Sequence, residues 1–315
     1  MQKHLIIMDP LEKLNRKLDS SLRMAAELTR LGDEVYYTVP EDMSWDSRQS
    51  HPATVATRLL FEDFRAETAF AGQSSRAGLE TFTAIHMRKE PPFDMSYIGI
   101  TWLMDAVSDR CKLFNAPAVL RAFNEKLGIL QFKDAIAPAL LSCQFTEALS
   151  FIDQVCRGDA IVKPLDLYGG KGIFRFQTKE NPDSETMLKS ALSDGVRLIQ
   201  PFDPRVYEGE VRVFTLGGEP ISWCLKKPAD RSFLANTGAG ASLHEFQPDP
   251  AMEAKVRNIA TALWEQGVAI TGMDIIGEHI SEINITSPRL LQADTDTKNY
   301  YQVIATWFHD QCLKT

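Results

Sequence analysis

The stretch Ile270–Pro288, ITGMDIIGEHISEINITSP, determines how the C-terminal part of the chain folds. Its two apolar runs flank a turn at 277–279, a pattern that predicts a tight antiparallel hairpin. Asp274 and Glu282 are equally distant from the centre of this turn, so we expect them to lie opposite each other. Asn284 follows Glu282 by two residues and should point to the same face, because side chains alternate along a strand.

This arrangement of oxygen-bearing side chains predicts a metal site. Two carboxylates that face each other on a half-buried sheet repel, unless a cation lies between them or one of them is protonated. Oxygen ligands from Asp, Glu and Asn suit Mg²⁺, and also Mn²⁺. We therefore expect Asp274, Glu282 and Asn284 to bind a divalent ion. The alternative is an edge hairpin whose polar face is simply solvated.

Upstream, residues 160–174 read AIVKPLDLYGGKGIF and contain candidate phosphate ligands. Lys163 stands at the end of a predicted strand, and Gly169 and Gly170 follow in a turn. Glycines let backbone N–H groups approach an anion, while the lysine supplies positive charge for phosphate oxygens. The segment matches neither a Walker A motif nor GxGxxG, and an ordinary glycine turn between strands would look much the same. Lys126, on a short predicted helix, is a second candidate, although such lysines are usually solvated.

A third candidate element of a nucleotide site is the apolar run 197–202, RLIQPF. An extended segment of this kind is suited to give backbone hydrogen bonds to the edge of an adenine. Glu208 follows it and could accept hydrogen bonds from ribose hydroxyls. The alternative is a buried strand followed by an acidic loop.

Composition narrows the class of protein. The chain has 315 residues, of which 44% are hydrophobic and 24% charged, and its net charge is −8. This acidic balance argues against a general nucleic-acid or anionic-membrane surface. No segment is long enough to span a bilayer, and the N-terminal apolar run is too short for a secretory signal. The five cysteines are odd in number and lack CxxC spacing, so we expect a cytoplasmic protein without disulfides.

The chain divides into three predicted units of α/β and α+β class. Residues 1–122 open with a β-α-β pattern and are expected to form an α/β domain with a mainly parallel sheet, although the stretch 46–78 is weakly patterned. Residues 123–203 alternate short strands and helices as a compact α+β unit. Residues 204–315 begin with a hairpin around Gly217-Gly218 and end with the hairpin at 270–285 and a helix.

Taken in order, these segments resemble the ATP-grasp superfamily and, within it, the bacterial glutathione synthetases. The resemblance covers nearly the whole chain. It rests on IIMDP at 6–10 with KLDSS at 17–21, MRKEPPFD at 87–94, Asn115 with NEKL at 124–127, KPLDLYGGKGIF at 163–174, EGEVRV at 208–213 and GMDIIGEHISEINITSP at 272–288.

The resemblance implies that ATP lies between two α+β lobes and that a divalent ion, Mg²⁺ or Mn²⁺, is required. It implies a carboxylate–amine ligase that makes glutathione from γ-glutamylcysteine and glycine through an acyl phosphate, commonly as a homotetramer. The implied roles are phosphate binding by Lys126 and Lys163 beneath a loop at 169–172, adenine binding at Gln200, ribose binding by Glu208, metal binding by Asp274, Glu282 and Asn284, catalysis by Arg212, Lys227 and Asn236, and substrate binding by Asp19, Ser20, Arg88 and Ser287.

Two departures from the family pattern fall where the substrate is expected to bind. The loop Pro228–Ser242 stands where relatives have a mobile loop with two arginines, and here those positions hold Lys227 and Leu234, with Arg231 out of register. After Ser287-Pro288 the family usually has a small residue and then an Arg-Glu pair, whereas this chain continues RLLQA at 289–293, with Gln292 near the end. A ligase for another peptide or amino acid, and a non-catalytic ATP-binding protein, therefore remain alternatives.

Overall fold

Three β-sheets organise the chain in the computed structural model, which describes residues 1–90, 92–167, 169–177, 183–230 and 232–314. The described residues form 15 strands and seven α-helices. The first sheet takes its strands from residues 3–114, the second from 140–201 and the third from 210–284. None of the described helices is both long and apolar enough to cross a membrane.

The first sheet has the strand order β4-β3-β2-β1-β5-β6. Its elements are β1 (Lys3–Ile7), α1 (Ser20–Arg30), β2 (Glu34–Thr38), β3 (Ala53–Phe61), β4 (Ala69–Gly78), β5 (Ala84–Met87), α2 (Met95–Asp105) and β6 (Lys112–Phe114). Strands β2, β1, β5 and β6 are parallel, as predicted, whereas β3 and β4 are antiparallel and make the sheet mixed. The weakly patterned stretch 46–78 supplies these two strands. Most side chains of β4 are exposed, so this strand shows little alternation of apolar and polar residues in the sequence.

The second sheet is antiparallel, with the order β7-β10-β8-β9. Helix α3 (Pro117–Ala122) leads into this unit, which contains β7 (Leu140–Ser142), α4 (Phe145–Gln154), β8 (Asp159–Pro164), β9 (Phe174–Gln177), α5 (Ser184–Ser193) and β10 (Arg197–Pro201). Ile152, Phe176 and Leu188 belong to a separate apolar core beneath the sheet. The prediction of a helix at Lys126 was wrong: the residue lies in a turn before the 3₁₀ stretch Gly128–Ala135, where Asn124 accepts hydrogen bonds from the backbone N–H groups of the turn.

The third sheet is also antiparallel and has the order β13-β12-β11-β14-β15. Its strands are β11 (Glu210–Leu216), β12 (Glu219–Lys227), β13 (Ser242–Glu245), β14 (Ile270–Ile276) and β15 (His279–Asn284), and it carries α6 (Pro250–Glu265) and α7 (Tyr300–Leu313). The hairpin register pairs Asp274 with Glu282, which confirms the geometry predicted from their spacing about the turn.

The first and third sheets are joined by buried contacts. The Asn115 side chain donates to the backbone carbonyls of Ile270 and Ile285 at 3.0 and 2.7 Å and accepts from the Ile270 N–H at 2.9 Å. Leu28 of α1 and Phe308 of α7 belong to one apolar cluster. These contacts fix the position of the third sheet, and of the hairpin within it, relative to the first.

Candidate active site

A cavity lies where the second and third sheets face each other, and its empty space of about 990 Å³ includes open solvent at its mouth. Its wall combines apolar side chains with buried charged groups. The lining includes Lys126, Lys163, Gly169, Gly170, Gln200, Asn236, Asp274 and Glu282 from the predicted site, together with Ile161, Ile173, Phe202, Glu210, Phe233, Leu234 and Ile276. The cavity therefore brings together most of the residues predicted to bind ATP and metal.

Asp274 is held by two cations, one on β11 and one on β12. Its two carboxylate oxygens lie 2.9 Å from Arg212 Nη1 and 2.7 Å from Lys226 Nζ, and the same Lys226 Nζ lies 2.9 Å from Glu210 Oε2. The strand register explains the cluster, because Arg212 is opposite Asp274 and Glu210 is opposite Lys226. Residues opposite each other in an antiparallel pair share a face, so these four charges converge.

Glu282, across the hairpin from Asp274, has a weaker set of partners. Its nearest cation is Lys126, whose Nζ lies 3.5 Å from Glu282 Oε1 but only 2.8 Å from Glu125 Oε1 and 2.5 Å from the Leu167 carbonyl. Lys163 Nζ donates to the Ser281 carbonyl at 3.5 Å. Both lysines predicted to bind phosphate thus lie beside the hairpin that carries the predicted metal ligands.

The pKa values in this cluster follow from burial and from these unequal pairings. Burial acts to raise the pKa of Asp274, but Arg212 and Lys226 outweigh it and lower that pKa. For Glu282, burial and the negative charge of Glu125 outweigh the attraction of Lys126 and raise the pKa to about 7. Burial also lowers the pKa of Lys163. A further cation beside Glu282 would therefore stabilise the ionised form of this carboxylate.

These oxygen donors fit a divalent ion whose coordination shell is completed by other ligands. Within the described ranges, no group of three or more His, Cys, Asp or Glu residues is arranged to hold a metal by itself. Asp274 already contacts two cations, and Asn284 Oδ1 accepts from the Thr286 N–H at 3.2 Å. The Glu282 carboxylate can still bind a metal ion through its oxygens. A site with so few protein ligands suits an ion that takes its remaining ligands from substrate phosphates.

The predicted adenine wall is formed by β10 and the residues that follow it. Gln200 is buried and pairs with Ile161 of β8. The Arg175 guanidinium lies 3.6 Å from the centre of the Phe202 ring, and Phe233 packs edge-on against the same ring, with centroids 6.2 Å apart. Glu208, predicted to bind ribose, is exposed and is not part of the cavity lining, whereas Glu210 is.

The loop after β12 lies against the glycine turn. A Cβ at Gly170 would come within 2.5 Å of Asn236 Nδ2, and the φ of +79° at Gly170 also favours glycine. Leu234 lines the cavity beside it. Lys227, predicted as catalytic, is exposed on the opposite face of β12 from the buried Lys226, and Arg231 lies outside the described residues.

The predicted substrate residues form a second group, near the start of α1. Asp19 caps this helix by accepting from the Leu22 N–H at 2.8 Å. Ser20 Oγ lies 3.0 Å from the Tyr301 hydroxyl, and Arg88 donates to Ser21 Oγ and to the Pro288 carbonyl, both at 3.0 Å. Arg88 Nη1 is buried without a hydrogen-bond partner among the described residues. Ser287 is buried beside this group.

The sequence interpretation missed Glu125, Glu210, Lys226 and Phe233. The signal for two of them was present, because Glu210 alternates with Arg212 along β11 and Lys226 is opposite Glu210 in the hairpin around Gly217-Gly218. Glu125 and Phe233 lie in a turn and a loop, where no strand or helix period predicts which way a side chain points.

Two α+β lobes that enclose a cavity with paired lysines, a glycine turn and a carboxylate hairpin define an ATP-grasp protein, an ATP-dependent ligase that forms C–N bonds. The family models agree: the prokaryotic glutathione synthetase N-terminal domain matches residues 2–121, and the ATP-grasp domain of the same enzyme matches residues 125–298. The chain belongs to the prokaryotic glutathione synthetase family. As such it uses ATP and a divalent metal ion and acts on small-molecule substrates.

Individual relatives agree with this assignment. The chain is 34% identical over 297 residues to a glutathione synthetase from Bordetella pertussis, covering 90% of this chain and 91% of the relative. It is 34% identical over 292 residues to one from Pseudomonas syringae pv. tomato, covering 91% and 90%. Among solved structures, a D-cycloserine synthetase covers 98% of this chain and 99% of its own with a TM-score of 0.69 at 15% identity, which shows a shared fold. A macrocyclase from Microcystis aeruginosa, solved with its precursor peptide, has a TM-score of 0.65 at 13% identity and covers 98% and 100%.

Proposed function

We propose that this protein joins γ-glutamylcysteine to glycine at the expense of ATP, with Mg²⁺ as the ion and Mn²⁺ as a substitute. The proposal includes a cytoplasmic location, a homotetramer and three functional units at 1–122, 123–203 and 204–315. The observation that carries it is the position of Lys126, Lys163 and the carboxylates of the hairpin 270–285 on one cavity that also contains Gln200. Hard oxygen donors favour Mg²⁺ at Glu282, Asn284 and Asp274.

In the first step, a carboxylate oxygen of γ-glutamylcysteine attacks the γ-phosphorus of ATP, and ADP leaves. Lys126 and Lys163 hold the phosphate oxygens, and the backbone at Gly169 and Gly170 lets the loop approach them closely. A divalent ion held by Glu282, Asn284 and Asp274 would offset the negative charge of the phosphate oxygens. Arg212, which contacts Asp274 at 2.9 Å, would stabilise negative charge on the transferred group.

In the second step, the amine nitrogen of glycine attacks the acyl carbon, the C–N bond forms, phosphate leaves and the nitrogen loses a proton. The acyl phosphate must be kept from water until the amine arrives. The loop with Phe233, Leu234 and Asn236 supports this role, because it covers the cavity between the Phe202 ring and Gly170. On the substrate side, the buried Arg88 Nη1, which has no hydrogen-bond partner among the described residues, is suited to a substrate oxygen.

A second candidate function is ligation of a different amino-acid or peptide pair by the same mechanism. The apolar Leu234 on the cavity wall favours it, since this position carries no charge for a substrate carboxylate. Purified protein incubated with ATP, Mg²⁺, γ-glutamylcysteine and glycine distinguishes the two candidates by phosphate release and product mass. Glutathione is the expected product. Phosphate release that requires another acid or amine would instead support the second candidate.

The metal assignment is tested by Glu282→Gln. The substitution keeps the shape of the side chain but removes the charge that the ion needs, so we expect kcat to fall by about 100-fold or more and the Mg²⁺ concentration for half-maximal activity to rise. Glu278→Gln is the matched control, because Glu278 lies in the turn of the same hairpin with a side chain 68% exposed. Equal activity of the two variants would contradict the metal site.

A further inference from the structure

The backbone of residues 287–290 is held at three successive positions. The Pro288 carbonyl accepts from Arg88 Nη2 at 3.0 Å, and the Leu290 N–H donates to Ser20 Oγ at 3.1 Å. Between them, the Arg289 carbonyl accepts from Arg212 Nε at 3.4 Å. Ser20 and Arg88 of the first unit, together with Arg212, thus fix the main chain on both sides of Arg289, so the direction in which its side chain leaves is set by the fold.

The Arg289 guanidinium has no anionic partner in the described part of the chain. Within the described ranges, its side chain makes one hydrogen bond, from Nη1 to the Thr237 hydroxyl at 3.4 Å, in the loop that covers the cavity. Lys126, Lys226 and Arg212, by contrast, each contact a carboxylate within 3 Å. A partly buried guanidinium that uses one long neutral contact has its remaining N–H donors available, and their planar arrangement matches a carboxylate.

Two other positions that depart from the family pattern carry no charge for a substrate carboxylate. Leu234 is apolar. Gln292 donates through Nε2 to the carbonyls of Asp296 and Lys298 at 2.6 and 2.7 Å, so both amide hydrogens are engaged within its own segment. Arg289 therefore presents positive charge between the predicted substrate residues Ser20 and Arg88 and the covering loop.

We propose that Arg289 determines substrate specificity by binding a non-reacting carboxylate of the amino-acid or peptide substrate. This inference rests on the proposed function, in which the substrates are amino acids or small peptides. Two N–H groups of the guanidinium donate to the two carboxylate oxygens, and the contact with Thr237 ties the bound substrate to closure of the loop. The α-carboxylate of the glutamyl residue and the carboxylate of glycine share this chemistry, so the test must separate them.

The test measures steady-state kinetics of the wild type, Arg289→Gln and Arg289→Lys. For the substrate that Arg289 binds, we expect Arg289→Gln to raise KM by about 10- to 100-fold while KM for ATP changes less than about 2-fold, with Arg289→Lys in between. Each substrate is also supplied with the carboxylate in question amidated. The wild type should prefer the free acid, and Arg289→Gln should lose that preference, a change that general damage to the fold would not produce. Arg257→Gln, on α6 with a side chain 42% exposed, is the control.

Two results would overturn this inference: a preference for the acid that persists in Arg289→Gln, or KM values that rise equally for ATP and both other substrates. Failure of the proposed function is visible separately, in a wild type that releases no phosphate with γ-glutamylcysteine and glycine. Arg289 is then tested in the same way on those members of a panel of amino acids and dipeptides that do support phosphate release. A wild type indifferent to their amidation would refute the role of Arg289.

Discussion

Lys226 and Lys227 are neighbours in sequence, but only Lys226 points into the active site, where it contacts Asp274 and Glu210. The resemblance to the family around Pro228 selected Lys227, because it matches residue types by their position along the chain. It does not consider which face of the strand a side chain occupies. Strand alternation from Arg212 and the hairpin register would have selected Lys226. The same rules did predict the pairing of Asp274 with Glu282, since both lie on regular strands about a short turn.

Lys226→Met and Lys227→Met, compared in parallel, test this assignment. Removing Lys226 leaves the buried Glu210 and Asp274 short of one cation, which disturbs the field at the transferred phosphate. We expect Lys226→Met to lower kcat/KM by about 100-fold and to reduce thermal stability, since a broken buried ion pair is costly. Lys227→Met should stay close to the wild type in both measurements. Greater loss of activity in Lys227→Met would show that the family pattern, and not the strand face, identifies the catalytic lysine.

At the scale of elements, the clearest contrast is between one buried apolar strand and one exposed polar strand. Strand β14 is almost fully buried and was predicted with its observed bounds, whereas β4 is mostly exposed and was not recognised. The loop after β12 lacks any periodic pattern, so its glycines predicted mobility but gave no sign of its packing. That packing depends on contacts with distant residues, such as Phe233 with Phe202.

Phe233→Ala should weaken closure of this loop. The lost aromatic contact is worth about 0.5–1.5 kcal/mol, so we expect KM for ATP to rise by about 2- to 12-fold. Water should also enter more readily, which raises ATP hydrolysis in the presence of the acid substrate but without the amine, relative to peptide formation. Phosphate release and product are measured together, with Phe70→Ala as the control, since Phe70 is 43% exposed on β4 of the first sheet. If Phe233→Ala forms as much product per phosphate released as the wild type, the Phe233 ring does not exclude water from the active site.

At the scale of the whole molecule, the contacts that hold the first and third sheets together join residues far apart in sequence. His309 of α7 lies with Nδ1 2.7 Å from Asp33 Oδ2, and the ring of His4 lies 3.3 Å from the same oxygen. Neither periodicity nor a short motif links residues separated by most of the chain. The strands and helices of both units could therefore be predicted from sequence, but their mode of association could not.

Asp33 should make this association sensitive to acid. Burial acts to raise its pKa, but hydrogen bonds with His4, His309 and the Gln2 N–H lower it from 3.8 to about 2. A carboxyl group whose pKa is lowered by folding stabilises the fold at pH values above the pKa that the group has in the unfolded chain. This stabilisation disappears as the pH falls from about 4 towards 2. Asp33→Asn should thus reduce the free energy of unfolding by about 2 kcal/mol at pH 7, a difference that shrinks below pH 4. This difference in the free energy of unfolding is measured by urea unfolding across this pH range, for the wild type, Asp33→Asn and the exposed control Asp109→Asn. A difference that does not change with pH would rule out the ionised Asp33 as the cause of the lost stability.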